Sequence, residues 1–272
     1  MAVANDAPPA GSPPHRIDTS RPHSARIWNH WLGGTDNYPI DRQVGDQVAR
    51  LFPNIVDEAR MSRSFLRRAV RYLAAEAGIR QFLDIGAGLP TADNTHQIAQ
   101  EVAPECRVAY GDNDPLVLAH GRELLTSSPG GAAEYIDADV RDPTGILAMA
   151  AKTLDFSRPI ALIMNGVMGH VTDDDEARSI LDRLLDGLPA GSYLTLSDGS
   201  DTSEAGVESM KFYNQTGAVP YHLRSPERIK RFFDGLELVE PGVVPRSQWR
   251  PDFAAASDQA PSAGYGGVAR KR

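Results

Sequence analysis

The chain has 272 residues, of which 41% are hydrophobic and 24% charged, and its formal net charge is -8. This composition is ordinary for a globular protein, but an acidic balance disfavours a large nucleic-acid footprint, which needs clustered Lys and Arg. No apolar run approaches the roughly 18–20 residues that span a bilayer, and the first residues lack the order of a signal peptide. We therefore expect a cytoplasmic protein with no membrane segment.

The N-terminal part of the chain changes character at about residue 21. Residues 1–20 are rich in Pro, Ala, Gly and Ser without periodicity, which indicates a disordered leader. We interpret residues 21–272 as a single domain, with a helical cap (21–78) ahead of an α/β core (79–272). In the cap, residues 63–77 place an apolar stripe on one face of a helix that Gly78 ends, and their four arginines are interpreted as a solvated face.

The core alternates short apolar strands with helices. We predict strands at 81–85, 107–110, 134–138, 159–164 and 192–197, with helices beginning at Pro115 and over 174–188. This alternation predicts a parallel sheet covered by helices on both faces. In the tail, Ser225-Pro226 predicts a helix start, and LELVEPGVV and GYGGVARK are each predicted to form a strand.

No metal site is predicted. The single cysteine, Cys106, excludes an intrachain disulfide and a cysteine-cluster metal site. It precedes the strand-like RVAY, so we expect a buried or half-buried structural thiol. The acidic run from Asp173 to Glu176 stands at a predicted helix start, where capping and the helix dipole explain it.

Glycines and carboxylates follow successive strands of the predicted sheet. The turn Asp84-Ile85-Gly86-Ala87-Gly88 comes after the first strand, and glycine there lets a ligand approach the backbone closely. Asp112 ends the second strand, where an acidic residue bonds ribose hydroxyls in dinucleotide folds. Asp139 lies near the end of the third strand, where a carboxylate accepts a hydrogen bond from an adenine amino group. Together they predict a nucleoside site at one edge of the sheet, although each Asp alone is equally well explained as turn chemistry.

The glycine turn favours one class of nucleoside cofactor over others. A dinucleotide fingerprint requires a third glycine three residues after Gly88, and Thr91 stands there. The chain also lacks a GxxxxGK[ST] phosphate loop. An adenosyl amino acid therefore suits the turn better than a pyrophosphate.

Several motifs together resemble a bacterial S-adenosyl methyltransferase family, long catalogued only as a domain of unknown function. They are DIGAGLPT, YGDNDP, IDADVRDP, ARIWNHWLGGTDNYPIDRQ and the tail GLELVEPGVV, WRP and YGGVARK, and they run from about Ser24 to Lys271. The resemblance implies the class I methyltransferase fold, a Rossmann-like three-layer α/β sandwich. Its seven-stranded sheet is mostly parallel, and the last strand runs antiparallel between its neighbours.

The resemblance also implies a cofactor, S-adenosyl-L-methionine or S-adenosyl-L-homocysteine. Gly86 and Gly88 would lie against the methionine portion, Asp112 would hold the ribose, and Asp139 and Val140 would face the adenine. The full set of predicted cofactor-contacting residues is Asp84, Gly86, Ala87, Gly88, Asp112, Asn113, Asp139, Val140 and Asn165. The chain departs from many relatives of the broader fold after the fourth strand, where Asn165-Gly166 replaces an aromatic or acidic group.

Two residues are candidates for a catalytic role. His170, shortly after the fourth strand, is the best-placed general base, with a backbone-bonded structural histidine as the alternative. Tyr38, which follows the Gly33-Gly34 pair, is a candidate lid over the cofactor. Trp28 and Trp31 are interpreted as helix-packing anchors.

The sequence thus predicts a methyltransferase that acts on a small molecule by in-line methyl transfer, with no nucleic-acid partner. Two alternatives remain, a non-catalytic sensor of the cofactor or its demethylated product and a nicotinamide-dependent oxidoreductase. The acceptor and the oligomeric state are left open.

Overall fold

A computed structural model describes residues 17–90, 93–124, 127–251 and 262–272, without the side chains of 122–124. Most of the predicted leader, up to residue 16, lies outside the described residues, and residues 17–20 have no helix or strand. No helix in these described ranges is long and apolar enough to cross a membrane.

Helices and strands alternate through the described part of the chain. The α-helices are α1 (Ser24–Trp31), α2 (Pro39–Leu51), α3 (Ile55–Ala75), α4 (Thr95–Val102), α5 (Pro115–Leu124), α6 (Pro143–Ala150), α7 (Asp174–Asp186), α8 (Glu204–Tyr213) and α9 (Pro226–Arg231). The strands are β1 (Gln81–Ile85), β2 (Arg107–Asp112), β3 (Ala132–Asp137), β4 (Ala161–Asn165), β5 (Tyr193–Gly199), β6 (Glu237–Leu238), β7 (Val244–Pro245) and β8 (Gly264–Arg270).

The strands form one sheet in the order β3-β2-β1-β4-β5-β8-β6, and β7 also pairs with β8. β1 to β5 are parallel, whereas β8 is antiparallel to β5, β6 and β7. This is the class I methyltransferase topology that the resemblance implied, with the last strand between its neighbours. The prediction of a single tail strand over LELVEPGVV is wrong. A turn divides this segment into β6 and β7, and a hydrogen bond from the Gly242 N–H to the Val239 carbonyl closes the turn.

Alternate residues of the inner strands enter different apolar clusters on the two faces of the sheet. Leu162 and Met164 of β4 pack with α6, α7 and α9, whereas Ala161 and Ile163 pack with α3, α4 and α5. The sheet is therefore the middle layer of three, as expected for strands that are buried on both faces. Cys106 is fully buried in the second cluster, as predicted, and burial raises its pKa to about 11.

A third apolar cluster joins the helices of the cap to α8, which follows β5. It is formed by α1, α2, the first turns of α3, and α8, through Ile27, Trp31, Val44, Val48, Phe52, Ile55, Ala59, Tyr213 and Ala218. The rest of α3 packs on the sheet, so the division at residue 78 between cap and core stays a prediction. A buried bidentate ion pair joins the cap to the core, with the Arg26 Nε and Nη2 atoms each 3.1 Å from an Asp114 oxygen.

Two predicted helix starts are confirmed by their caps. The Ser225 hydroxyl accepts from the Arg228 N–H at α9, and an Asp173 oxygen accepts from the Glu176 N–H at α7. These bonds satisfy donors that the first helical turn leaves without partners.

The prediction of a solvated arginine face on α3 is wrong in part. Arg67 and Arg71 are exposed, but Arg63 and Arg68 are half-buried. Arg68 donates to the carbonyls of Arg246 and Trp249, because the tail folds back over α3 and covers this side of the helix.

Candidate functional site

A cavity at the carboxyl edge of the sheet, hereafter the rim cavity, lies beneath the cap. The register of the parallel strands brings the ends of β1, β2 and β4 to one level, with Ile85 opposite both Gly111 and Met164. The cavity holds about 1220 Å³ of empty space, its open mouth included. All the predicted cofactor-contacting residues line it, namely Asp84, Gly86, Ala87, Gly88, Asp112, Asn113, Asp139, Val140 and Asn165.

The glycine turn after β1 forms the floor of the rim cavity. Gly86 and Gly88 have φ values of 70° and 68°, a left-handed conformation that side chains rarely adopt. A Cβ at Gly86 would overlap the Val167 side chain, whereas a Cβ at Gly88 would meet no atom within 4 Å. The backbone at Gly88 therefore borders open space.

Two buried carboxyl groups lie beside this turn. Asp84 accepts a 2.6 Å hydrogen bond from the Thr95 hydroxyl, and burial raises its pKa to about 6. Asp112 accepts from the Gly88 N–H at 2.9 Å and from the Asp114 N–H at 3.0 Å, and burial also raises its pKa. Asp112 thus fixes the glycine turn against the end of β2.

The remaining predicted contacts lie on the other strand ends. Asp139 accepts from the Arg141 N–H at 2.9 Å, and its side chain is 49% exposed. Asn165 donates its amide to the Ser62 hydroxyl at 3.1 Å and accepts from the Ser197 hydroxyl. Asn165 is therefore held in place between α3 and β5.

The two catalytic candidates are placed differently. His170 lines the rim cavity, and its Nδ1 lies 3.0 Å from the Pro220 carbonyl oxygen. Since a carbonyl only accepts, Nδ1 carries the hydrogen and Nε2 keeps its lone pair in the neutral ring. Burial lowers the pKa of His170, which favours this neutral form.

Tyr38 does not line the rim cavity, as far as the described residues define it. It precedes α2, where its N–H donates to Asp41, and its ring packs against the Arg26 guanidinium at 5.3 Å. The structure therefore gives no support to Tyr38 as a lid or as a catalytic residue.

The sequence reasoning missed several residues that line the rim cavity. Arg63 and Ser62 reach it from α3, Trp28 and Asn29 reach it from α1, and His23 reaches it from the residue before α1. Arg63 is the most significant omission, because it brings a guanidinium to the cavity. Burial lowers the pKa of this guanidinium, and the carboxylate of Asp84 raises it again. No local pattern distinguishes it from its exposed neighbour Arg67, since both lie on a polar face of the same helix.

A second cavity, hereafter the cap cavity, adjoins the first. It lies between α1, the start of α3, α8 and the end of β5, and it shares Ser24, Trp28 and His170 with the rim cavity. Among the described residues, no cluster of three or more His, Cys, Asp or Glu side chains is placed to hold a metal.

The rim cavity fits the adenosyl amino acid that the resemblance implied. The open space at Gly88 admits a ligand to the backbone, and the carboxylates of Asp112 and Asp139 stand at the ends of adjacent strands. Arg63 supplies a cation suited to a ligand carboxylate.

Comparison with known proteins agrees with this geometry. The sequence profile described as S-adenosyl methyltransferase matches residues 10–272. A crystal structure of a DUF574 family protein from Streptomyces avermitilis is 45% identical, covering 94% of this chain and 100% of its own, with a TM-score of 0.89. A Thermobifida fusca protein assigned provisionally as a methyltransferase is 40% identical, covering 96% and 98%, with a TM-score of 0.86.

More distant structures agree at the level of fold alone. Mitomycin 7-O-methyltransferase is 17% identical and covers 91% of this chain and 68% of its own, with a TM-score of 0.50. No functionally curated protein matches the chain significantly. The profile match spans nearly the whole chain, and so the chain belongs to the S-adenosyl methyltransferase family, whose cofactor is S-adenosylmethionine.

Proposed function

We propose that this protein transfers a methyl group from S-adenosylmethionine to a small-molecule acceptor by in-line displacement. The observation that carries the proposal is the rim cavity, which gathers all the predicted cofactor contacts and His170 around one space. A cytoplasmic setting is part of the same proposal. So is the absence of a nucleic-acid partner, which the acidic charge of the chain supports.

Each part of the cofactor has a counterpart in the rim cavity. The turn at Gly86 and Gly88 suits the methionine portion, and Arg63 suits its carboxylate. Asp112 suits the ribose hydroxyls, because a carboxylate that already accepts two backbone N–H bonds still has free lone pairs. Asp139 and Val140 suit the adenine.

The bound cofactor would supply a methyl group made electrophilic by its sulfonium. The protein's own contribution is to hold the acceptor in line with that methyl and to exclude water beneath the cap. His170 would take the acceptor's proton at Nε2 where the acceptor must lose one. The cap favours a small acceptor, since α1 lines the cavity through Trp28 and Asn29.

Calorimetric titration with S-adenosylhomocysteine tests the cofactor site. We expect wild-type protein to bind, and Asp139→Ala to bind about tenfold more weakly through loss of one charge-assisted hydrogen bond. Asp186→Ala, at an exposed position at the end of α7, is the matched control and should bind as wild type. Failure of wild-type protein to bind either form of the cofactor would refute the proposal.

Two further measurements separate the alternatives. Transfer of labelled methyl from S-adenosylmethionine to a small molecule of a native extract is expected of an enzyme, and its complete absence would favour a sensor. Binding of a reduced nicotinamide cofactor in place of S-adenosylhomocysteine would favour an oxidoreductase.

A further inference from the structure

We propose that the cap cavity binds the methyl acceptor, and that this acceptor is an uncharged aromatic hydroxyl compound with a second oxygen directed at Arg246. The proposal rests on the proposed function, because it names the acceptor class for the same reaction. It is carried by the lining of the cavity, by the hydrogen bonding of Arg246 and by the side chains that the two cavities share.

The lining of the cap cavity suits a flat apolar molecule. The cavity holds about 720 Å³ of empty space, its open mouth included. Its apolar walls are Ile27, Trp28, Trp31, Phe52, Ile55, Met210, Tyr213, Tyr221 and Leu223. Five of these side chains are aromatic, and aromatic faces pack best against another planar ring.

Arg246 is the cationic group at the wall of this cavity. It is 3% exposed, and Gly264 on β8 makes room for its guanidinium, which a Cβ there would overlap. Within the described ranges, its Nε donates to the Ser197 hydroxyl at 3.3 Å, and its Nη1 lies 3.8 Å from a Glu58 oxygen. A guanidinium has five N–H donors, so Arg246 retains donors for an oxygen in the cavity.

The charges around Arg246 favour a neutral acceptor. Glu58 is 5% exposed and is fixed by the Ala263 N–H at 2.6 Å and the Ser262 hydroxyl at 2.9 Å. Its charge therefore already balances that of Arg246. A ligand carboxylate would add a second negative charge beside buried Glu58, and a ligand ammonium would face Arg246. A carbonyl or ether oxygen accepts from Arg246 without either cost.

The other end of the cavity meets the cofactor site at His170. Ser24, Trp28 and His170 line both cavities, so the two cavities adjoin at these side chains. A hydroxyl at this end gives its proton to His170 Nε2 while its oxygen forms the new bond to the methyl carbon. The sulfur–methyl bond breaks with its electron pair left on sulfur. The sulfur therefore becomes neutral while the imidazole becomes positively charged.

A pair of matched ligands tests the acceptor class by binding, independently of turnover. The methyl ketone and the carboxylate of the same hydroxynaphthalene differ in charge but little in shape. With S-adenosylhomocysteine bound, we expect calorimetry to show the ketone binding at least about tenfold more tightly than the carboxylate. Arg246→Met should reduce this preference and leave the affinity for S-adenosylhomocysteine unchanged.

Arg246 is buried beside Glu58, so a second variant covers the case in which Arg246→Met fails to fold. Met210→Trp fills the cap cavity from α8 and should abolish ketone binding while cofactor affinity stays at the wild-type value. Lys211→Trp, at the next position on α8 with its side chain 66% exposed, is the control and should bind both ligands normally.

The outcomes separate this inference from the proposed function. If wild-type protein binds no S-adenosylhomocysteine, the proposed function fails. If it binds the cofactor but not the ketone, binds the carboxylate equally well, or binds the ketone unchanged in Met210→Trp, the cap-cavity inference is overturned and the proposed function stands.

Discussion

Gly86 and Gly88 share a left-handed backbone conformation but have different surroundings. A side chain at Gly86 would collide with Val167, which belongs to the apolar cluster on one face of the sheet. A side chain at Gly88 would stand in the space of the rim cavity. The first glycine therefore serves packing as well as the turn, and the second serves access to the backbone.

Alanine substitutions separate these two roles. Gly86→Ala should destabilise the protein by about 3 kcal/mol, from backbone strain of about 1–2 kcal/mol plus the overlap with Val167. Gly88→Ala should cost only the strain, about 1–2 kcal/mol, but should weaken S-adenosylhomocysteine binding at least about tenfold. Urea unfolding and calorimetry measure the two effects.

A double variant provides the control for the glycine prediction. Adding Val167→Ala to Gly86→Ala should relieve the overlap, so the pair of substitutions should be less than additive. Equal destabilisation by Gly86→Ala and Gly88→Ala would contradict the assignment of separate roles.

Asp198 on β5 gives the protein a pH-dependent stability. Burial raises its pKa from 3.8 to about 6, although the Tyr221 hydroxyl donates to it. Because the folded pKa lies above the unfolded one, the folded protein binds more protons between about pH 4 and 6, and stability falls as the pH rises through this window. The shift corresponds to roughly 3 kcal/mol.

Asp198→Asn should therefore flatten the decline of the unfolding free energy between pH 4 and pH 6. Asp84 has a raised pKa of the same size and would maintain a residual decline. Urea unfolding across this range is the measurement, with Asp201→Asn at an exposed position as the control. A variant whose decline matched that of wild type would show that Asp198 ionises normally in the folded protein.

At the scale of elements, α1 depends on one buried contact with the core. Arg26 and Asp114 are 3% and 0% exposed at their side chains, and Asp114 also pairs with His23 at 3.0 Å. These contacts lower the pKa of Asp114 to about 2 in spite of its burial. Since His23 and Trp28 of the cap line the rim cavity, the same ion pair positions part of the proposed cofactor site.

Arg26→Met should destabilise the protein by about 3–5 kcal/mol, because the buried charge of Asp114 would lose its bidentate guanidinium partner. Arg60→Met is the matched control on α3, where the pair with Asp57 is 62% and 60% exposed and a loss of at most about 1 kcal/mol is expected. Urea unfolding measures both. Equal effects of the two substitutions would mean that burial does not strengthen the Arg26 contact.

Some elements could be predicted from the sequence and others could not. The apolar runs of β1 and β4 and the Ser225-Pro226 helix start carry local signals, and the structure places them within a few residues of the prediction. The predicted tail strand failed because the β6–β7 turn interrupts an otherwise strand-like run. The positions of Arg63 and Arg246 at the two cavities could not be predicted, because their burial depends on elements distant in the chain.

At the scale of the whole molecule, the topology and the rim residues were the predictable part of the site. Strand order follows from the family resemblance, and parallel strands bring Gly86, Asp112 and Asp139 to one edge. The cap cavity was not predictable, since it lies where α1 and the start of α3 meet α8, and α8 lies far along the chain from the predicted cap. The proposed acceptor site is therefore a product of tertiary structure.

The cap and the sheet are expected to unfold together, because α3 belongs to both. Ile55 and Ala59 near its start pack in the cap cluster, whereas Phe65 and Val70 pack against the sheet.

Tryptophan fluorescence can follow the unfolding of the cap and of the sheet separately. Trp28 and Trp31 lie in the cap, whereas the ring of Trp249 packs 5.6 Å from that of Phe65. Trp249→Phe and the double variant Trp28→Phe/Trp31→Phe thus isolate each signal. In each variant the fluorescence midpoint in urea should coincide with that of far-ultraviolet circular dichroism, as one cooperative unit requires. A cap signal lost at lower urea than the dichroism would instead show that α1 and α2 unfold first, and that the predicted single domain contains two units.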